Sequence, residues 1–348
     1  MFSLSECRVP DNVVVEQASS ELTADFVASL MPGVETVVDL TAGLGVNTYL
    51  FSLQSHKVYA IEIDLRRAGM LRHNLNVAGV DNVQVFNDDC IEWLAKNDLD
   101  FDVAFVDPSR RVTPGKRSIC IQDCEPSVEE IIKLLEGRCR RLLVKASPLL
   151  DLTSAFKTFP LLGTIYIVES QREVKELILS IDLKKEERTF LKKVICVKLD
   201  NDNTPIQTEF DWDDRSLNSE IPYLSNIGEI KDDGYLYDPS PALMKSGMFG
   251  ALCQSFKSLK KLSVNSHLFY SDSKISDFPG RIFKIDKFLK TGDLKQMKKE
   301  EINVISRNHP ANAEEISKRY QFSGRTSRFL IMTSIGHTKI MILGIKEK

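Results

Sequence analysis

Acidic residues stand at the ends of four predicted buried strands in the first third of the sequence. They are Asp39, Glu62, Asp89 and Asp107, and each follows a run of aliphatic or aromatic residues. In an open parallel sheet, ligands collect at the carboxyl ends of the strands, where carboxylates accept hydrogen bonds from ligand hydroxyl and amino groups. The pattern therefore predicts a polar binding site at this edge, with Asp107 as the acid best suited to chemistry.

A glycine-containing turn connects the first of these strands to a predicted helix. Apolar residues return at helical spacing from Val46 to Leu53, which indicates a strand-turn-helix unit. Turns of this kind place small residues, here Gly43 and Gly45, and the first N–H groups of a helix beside a nucleotide-like ligand. By itself, such a turn more often only lets the helix pack on the sheet, so the ligand hypothesis needs independent support.

That support comes from the next two strand ends. Glu62 lies 17 residues beyond Gly45, close to the separation at which an acid reaches the ribose hydroxyls of a nucleotide cofactor. At the third strand end, Asp89 can accept a hydrogen bond from an adenine amino group while the N–H of Cys90 meets a ring nitrogen. Alternatively, Asp88 or Asp89 caps the following helix, and the two roles are compatible.

Composition and cysteine usage favour a protein of the cytoplasm. The 348 residues, 43% of them hydrophobic, suffice for two or three domains with real cores. The N-terminus lacks a basic start before an apolar run, and no segment reaches the 18 apolar residues of a membrane span. The seven scattered cysteines fit reduced thiols, and Cys120 and Cys124 have no second ligand pair, so no zinc site is expected.

The modest net charge of −3 conceals two parts of opposite sign. Residues 1–230 contain 25 lysines and arginines against 37 acids, a net −12, whereas residues 231–348 contain 21 against 12, a net +9. A basic C-terminal part can bind nucleic acid, because phosphate affinity comes largely from clustered lysine and arginine. The alternative is a basic face that is solvated or that attracts the acidic part of the chain.

Further strands are predicted after the fourth. A fifth covers residues 141–146, and three more lie within residues 163–168, 177–181 and 194–199. The last three could complete the parallel sheet or form a small ferredoxin-like α+β module, and we favour the separate module. Residues 200–229 are polar and acidic, which is typical of a linker. Ser19 or Ser20 is expected to cap an N-terminal helix before the glycine turn.

These motifs together resemble the class I S-adenosylmethionine-dependent methyltransferases. The similarity runs through the turn at residues 39–45, Glu62, residues 89–90 and the Asp-Pro pair at residues 107–108, in the family's order and intervals. It implies a Rossmann-like domain over residues 1–160, in which Asp107 and Pro108 face the transferred methyl group and are catalytic. A dinucleotide-dependent dehydrogenase fits less well, because its fingerprint needs Gly or Ala where this chain has Thr48. The resemblance implies that the cofactor contacts are Gln17, Asp39, Thr41, Gly43, Gly45, Asn47, Glu62, Asp89, Cys90 and Asp107.

A wider similarity covers nearly the whole chain. Residues 16–21, 107–111, 145–148 and several C-terminal stretches resemble a bacterial group of methyltransferases that carry a THUMP-like domain, here residues 229–348. Residues 161–228 would then be the ferredoxin-like module and linker. THUMP domains belong to RNA-modifying enzymes, so the resemblance implies an RNA substrate, methylated on a base amine or ring nitrogen. The expected RNA contacts are Arg110, Arg111, Lys116, Arg281, Arg307, Arg325 and Arg328.

Two departures from related enzymes leave alternatives open. Amino-directed nucleic-acid methyltransferases carry a second proline and a base-stacking aromatic after the Asp-Pro pair, where this chain has Ser109 and Arg110. The THUMP-like part also follows the catalytic domain instead of preceding it. A cofactor-binding but non-catalytic RNA-binding protein, or a methyltransferase of a non-RNA acceptor, therefore remains an alternative hypothesis.

Overall fold

Two compact units make up the chain, Met1–Trp212 and Asp213–Lys348. The structure, a computed structural model, describes residues 20–110, 121–184, 191–200, 204–212 and 221–347. Among these residues, no helix combines the length and the apolar character that crossing a bilayer requires. Each unit is described separately below.

The first unit alternates strands and helices, as the sequence predicts for an α/β fold. Its helices are α1 (Glu21–Ser29), α2 (Val46–Gln54), α3 (Leu65–Val77), α4 (Cys90–Lys96), α5 (Val128–Leu135) and α6 (Leu152–Thr158). Its strands are β1 (Val34–Asp39), β2 (Ser55–Ile61), β3 (Val83–Phe86), β4 (Phe101–Val106), β5 (Ser109–Arg110), β6 (Cys124–Glu125), β7 (Cys139–Ala146), β8 (Leu162–Ser170), β9 (Glu173–Asp182), β10 (Lys193–Leu199) and β11 (Ile206–Asp211).

One large sheet forms the centre of this unit. Within the described residues its strand order is β3-β2-β1-β4-β7-β9-β8-β10-β11, and β5 and β6 form a separate two-stranded ribbon. Five neighbouring strands, in the order β3-β2-β1-β4-β7, run parallel to one another. Strand β9 lies between β7 and β8 and is antiparallel to both. Helices connect the parallel strands, so the carboxyl ends of β1 to β4 meet at one edge. The predicted α/β class with a Rossmann-like sheet is confirmed.

The prediction of a separate module over residues 161–228 is wrong. Strand β9 pairs with β7 along six residue pairs, from Arg141↔Asp182 to Ala146↔Leu177, and β10 continues the sheet beside β8. Strands β8 and β9 are neighbours in sequence and pair as a hairpin, so their sequence pattern is also compatible with a separate module. Its insertion against β7 is a long-range pairing that strand periodicity does not reveal.

Side-chain caps mark the first residues of three helices in this unit that matter for the site. Ser20 caps α1 by accepting a hydrogen bond from the Thr23 N–H at 3.3 Å, as predicted. Asp64 caps α3 and Asp89 caps α4 in the same way. These caps place the helix N-termini of α3 and α4 directly after β2 and β3, at the same edge of the sheet.

The second unit is a mixed α/β unit of its own. Its helices are α7 (Pro241–Ser246), α8 (Phe249–Ser255), α9 (Asp293–Gln296) and α10 (Ala313–Tyr320). Its strands are β12 (Tyr235–Pro239), β13 (Lys260–Lys261), β14 (Phe269–Ser271), β15 (Gly280–Leu289), β16 (Asn303–Ser306), β17 (Arg328–Ile335) and β18 (Thr338–Lys346). In the described part, these strands pair in the order β13-β14-β12-β15-β18-β17-β16.

Both faces of this second sheet carry apolar side chains. On β17, Phe329 and Ile331 belong to one buried cluster, while Leu330 and Met332 belong to another. Alternate residues of a strand point to opposite faces, so the two clusters lie on the two sides of the sheet. Among the apolar residues from 244 to 259, Leu252 and Leu259 are fully buried and belong to the core.

Candidate active site

A cleft of about 880 Å³ opens at the carboxyl ends of β1 to β4. Its wall includes the turn at residues 40–47, the strand ends at Glu62 and at residues 88–92, and Asp107. This volume suits a nucleotide-sized ligand. The structure therefore brings together, at one edge of the sheet, most of the described residues that the sequence predicted as cofactor contacts.

The two glycines of the turn are required for different reasons. Both adopt left-handed backbone angles, with φ of +56° at Gly43 and +88° at Gly45. A Cβ on Gly45 would lie 2.2 Å from Cδ1 of the buried Leu71 on α3, whereas a Cβ on Gly43 would have no neighbour closer than the Thr41 carbonyl oxygen at 3.9 Å. Gly45 therefore serves helix packing, and Gly43 keeps the cleft wall open.

Alanine at these two glycines is expected to produce different defects. Gly45→Ala should lower the free energy of unfolding by about 2–4 kcal/mol, because backbone strain and a clash with Leu71 add. Gly43→Ala should cost only the strain, about 1–2 kcal/mol, but should weaken S-adenosylmethionine binding more strongly. Urea unfolding and calorimetry measure the two quantities, and equal destabilisation by both variants would contradict this division of roles.

Asp39 lies behind the turn instead of lining the cleft. Its carboxylate is 1% exposed and accepts hydrogen bonds from the Thr48 hydroxyl at 2.6 Å and the Thr41 N–H at 3.2 Å. Burial raises the pKa of Asp39 to about 7, although the bonds from Thr48 and Thr41 oppose the shift. Asp39 thus shapes the turn from within the protein, and it is not among the residues that line the cleft.

Glu62 is fixed at the rim of the cleft by four donors. Its Oε2 accepts from the Gly43 N–H at 2.9 Å, and its Oε1 accepts from the Asp64 N–H at 2.8 Å and from Nη2 and Nε of Arg67 at 2.8 and 3.0 Å. Of these four bonds, Oε2 accepts only the one from Gly43, whereas Oε1 accepts three, so Oε2 retains capacity for a ligand hydroxyl. Sequence reasoning missed Arg67, which lies five residues after Glu62 in the first turn of α3.

The third strand end shows the capping role that the sequence allows for Asp89. Its Oδ1 caps α4 by accepting from the N–H groups of Ile91 at 2.8 Å and Glu92 at 3.2 Å. Burial raises the pKa of the Cys90 thiol to about 12, so this thiol stays protonated at neutral pH. Ile63, 64% exposed on the cleft wall, adds an apolar surface there that sequence reasoning missed.

Asp107 connects the turn to the partly buried Lys145. Its N–H donates to the Thr41 hydroxyl at 2.7 Å, and its Oδ2 accepts from Nζ of Lys145 at 2.8 Å. Nζ of Lys145 also lies 3.7 Å from Oε2 of Glu176. Burial alone would lower the pKa of Lys145, but Asp107 and Glu176 raise it above its usual value.

Sequence reasoning gave Lys145 no individual role and missed Glu176 entirely. Lys145 lies near the end of β7, the strand next to the one that precedes Asp107, which is a usable signal. Glu176 lies on β9, and its position beside Lys145 follows only from the antiparallel insertion of that strand.

The other residues predicted for the site lie partly at the cleft and partly outside the described residues. Asn47 lies on the cleft wall, and Pro108 follows Asp107 into β5. Ser109 pairs with Glu125 across the ribbon of β5 and β6, and Arg110 belongs to the same ribbon. Gln17, Arg111 and Lys116 lie outside the described residues.

Among the predicted RNA-contacting arginines of the second unit, Arg281 already has an internal partner. It is 16% exposed and donates to the fully buried Asp238 at 3.0 and 2.6 Å. Arg307 lies 3.4 Å from the same carboxylate, and Arg328 pairs with Glu300 at 2.8 Å. Arg281 therefore stabilises the fold, because a buried carboxylate without its partner is costly. Arg325 is exposed.

Known proteins resemble this chain in two regions and over its whole length. A family model for RNA cap guanine-N2 methyltransferases matches residues 34–110, and one for a ferredoxin-like domain matches residues 235–279. A crystal structure from Porphyromonas gingivalis W83, of a protein assigned as a methyltransferase, is 27% identical with a TM-score of 0.88. The similarity covers 99% of this chain and 85% of that one.

A curated relative matches over a shorter stretch. An uncharacterised mimivirus protein, from the virus of Acanthamoeba polyphaga, is 34% identical over 73 residues. This match spans 21% of the chain and 28% of the length of the viral protein.

Proposed function

We propose that this chain, an S-adenosylmethionine-dependent methyltransferase, methylates RNA that its basic C-terminal unit binds. The observation that carries the proposal is the match of residues 34–110 to a family of RNA cap methyltransferases, because this segment holds the glycine turn, Glu62, Asp89 and Asp107. The matched segment therefore contains most of the residues that line the cleft.

The charge of the second unit supports an RNA substrate. Residues 284–299 contain six exposed lysines against two aspartates, on β15, on α9 and in the turns around them. Exposed lysines without a fixed geometry suit phosphates, whose attraction does not depend on sequence. Together with Arg307, Arg325 and Arg328, they form our proposed RNA surface, and the THUMP-like character of this unit remains part of the proposal. The six are Lys284, Lys287, Lys290, Lys295, Lys298 and Lys299.

The polar and apolar residues of the cleft wall suit the different parts of S-adenosylmethionine. We propose that the turn at Gly43 holds the methionine part, that Glu62 accepts from the ribose hydroxyls, and that Asp89, Cys90 and Ile63 receive the adenine. When bound, S-adenosylmethionine supplies an electrophilic methyl group on a sulfonium sulfur. Asp107, 37% exposed, orients an acceptor nitrogen or oxygen and takes its proton. Positioning supplies much of the rate in such a transfer.

Replacing Glu62 tests the ribose contact. Glu62→Ala should weaken S-adenosylmethionine binding by about 10- to 100-fold, because hydrogen bonds to a charged group contribute about 1.5–3 kcal/mol. Glu92→Ala is the matched control, since this carboxylate also borders the cleft but is 65% exposed and paired with Lys96. Calorimetry on the folded variants measures both, and equal affinity in Glu62→Ala and wild type would refute the assignment.

The acceptor class can be tested with extracts. Tritiated methyl groups should enter the RNA fraction of cells that lack the protein, and ribonuclease treatment should release the label. Label only in protein or in small molecules would favour a non-RNA acceptor. Salt-sensitive RNA binding without any incorporation would favour the non-catalytic alternative.

A further inference from the structure

One lysine of the second unit is buried without an acidic partner. Lys261 ends β13 and is 3% exposed. Its Nζ donates to the carbonyl oxygen of Val264 at 2.7 Å and lies 4.9 Å from the ring centroid of Phe249. Within the described part of the chain, no carboxylate forms an ion pair with this ammonium. Because a buried charge without a counter-ion is costly, the fold alone does not compensate Lys261.

A second cation, Arg307, follows β16 and is open to solvent. Its side chain is 39% exposed, and its Nε lies 3.4 Å from Oδ1 of the buried Asp238. Arg281 already donates to Oδ2 of the same carboxylate at 3.0 and 2.6 Å. Neither Nη of Arg307 has a hydrogen-bond partner among the described residues. One carboxylate thus orients two arginines, and the outer guanidinium keeps donors for a ligand.

His267 lies near both of these cations. Its imidazole packs on the ring of Phe249, with 5.3 Å between centroids, and the same ring lies under Nζ of Lys261. Nδ1 of His267 is enclosed and, among the residues that the structure describes, has no hydrogen-bond partner. Burial lowers the pKa of His267, and the charges of Lys261 and Arg307 lower it further. The imidazole therefore lies in a region of positive potential.

Contacts between two loops fix this arrangement. Nδ2 of Asn308, in the loop after β16, donates to the hydroxyl oxygens of Ser263 at 3.4 Å and Ser334 at 2.8 Å. Ser263, in the loop after β13, donates in turn to the Ser334 carbonyl oxygen at 3.1 Å. His267 and Asn308 both have left-handed backbone angles, with φ of +51° and +54°. Residues other than glycine keep such angles only where surrounding contacts hold them, so the site is formed before a ligand binds.

The donors in this region suit a phosphate group. A guanidinium presents its N–H groups in a fork that matches two phosphate oxygens, which gives the contact a fixed geometry. A buried ammonium is weakly screened by solvent and salt, so its charge attracts an anion without direct contact. Among the groups that carry this arrangement, Lys261, Arg307 and Arg281 are cationic and only Asp238 is anionic. An anion would therefore supply the missing counter-charge.

We propose that Lys261, His267 and Arg307 form a phosphate subsite of the second unit, which holds one phosphate of the RNA strand. Arg307 contacts the phosphate oxygens through its Nη groups, and Lys261 adds positive charge from the protein interior. The inference rests on the proposed RNA function. The exposed lysines of this unit attract phosphates without a fixed geometry, whereas this subsite holds one phosphate in a defined position.

Inorganic phosphate tests the subsite without RNA. Lys261→Met should raise the urea midpoint of unfolding in phosphate-free buffer, because an uncompensated buried charge is removed. At constant ionic strength, phosphate should raise the midpoint of wild type more than that of Lys261→Met. Lys260→Met is the matched control and should respond as wild type does, since Lys260 is 46% exposed and paired with Glu229. A lower midpoint in Lys261→Met with an unchanged response to phosphate would overturn the subsite.

RNA binding tests the ligand. With single-stranded RNA at about 50 mM salt, Lys261→Met and Arg307→Met should each weaken binding about tenfold, and Lys260→Met less than about twofold. The slope of log affinity against log salt should fall by about 0.7 in Arg307→Met, as expected for one lost phosphate contact. Losses with both 5′-hydroxyl and 5′-phosphorylated RNA would support an internal phosphate, and losses only with the latter would support a terminal one.

Two results would fail the account in different ways. Wild-type RNA affinity in both folded variants, Lys261→Met and Arg307→Met, would overturn the subsite while leaving the RNA function intact. Absence of RNA binding by the wild-type protein would instead refute the proposed function.

Discussion

Asp107→Ala is expected to lower kcat for methyl transfer by about 10²- to 10⁴-fold, the range associated with loss of a general base. Asp107 is the half-exposed carboxylate at the end of β4, and its backbone N–H is fixed by the Thr41 hydroxyl. The fold should tolerate the change, because Lys145 keeps Glu176 as a partner. Single-turnover kinetics with saturating cofactor measure the effect on the chemical step.

Asp107→Asn is the matched variant for this experiment. Asparagine has the size of aspartate and can still receive a hydrogen bond from Lys145, but it cannot take the acceptor's proton. Both variants should therefore lose activity to a similar extent, while S-adenosylmethionine affinity changes by less than about tenfold. Full activity in Asp107→Asn would show that the carboxylate does not accept the proton.

Asp39→Asn is expected to stabilise the protein at pH 7.5 and above. The pKa of Asp39 is about 7 in the folded chain, against 3.8 for an ordinary aspartate, because the carboxylate is buried. Between these two values the folded state holds a proton that the unfolded state has released, so the free energy of unfolding decreases as the pH rises. A shift of about three units corresponds to roughly 4 kcal/mol at neutral pH.

Urea unfolding between pH 4 and 8 measures this effect. As the pH rises to about 7, the free energy of unfolding of wild type should fall relative to that of Asp39→Asn. Above that pH, the difference between the two free energies should stay constant. Asparagine can keep both hydrogen bonds, with its amide oxygen facing Thr41 and its NH₂ facing Thr48. Asp64→Asn is a control for which the opposite pH dependence is expected, because the hydrogen bond from the Arg67 N–H lowers the pKa of Asp64. Relative to this variant, wild type should gain stability as the pH rises. Parallel curves for wild type and Asp39→Asn at all pH values would contradict the raised pKa.

The parts of the site that lie close together in sequence were predictable. The turn at Gly43 and Gly45 and the acids Glu62, Asp89 and Asp107 follow predictable strands, and parallel pairing brings strand ends together. The cap of α4 by Asp89 was anticipated for the same reason, since capping depends on local backbone only.

The parts that depend on long-range pairing were not predictable. Glu176 reaches Lys145 only because β9 inserts beside β7, the same pairing that removes the expected separate module. Asp39 has the sequence position of a ligand contact, but its burial depends on how α2 packs over the turn. Arg281 is a residue type that commonly binds phosphate, yet its guanidinium is paired with Asp238, which lies 43 residues away in sequence.

The most direct test of RNA methylation by this chain compares modified nucleosides from cells with and without the protein. Mass spectrometry of total RNA should show one methylated nucleoside missing from the deletion strain. Wild-type protein should restore it, and Asp107→Ala expressed at the same level should not. An unchanged set of nucleosides in the deletion strain, or restoration by Asp107→Ala, would contradict the account.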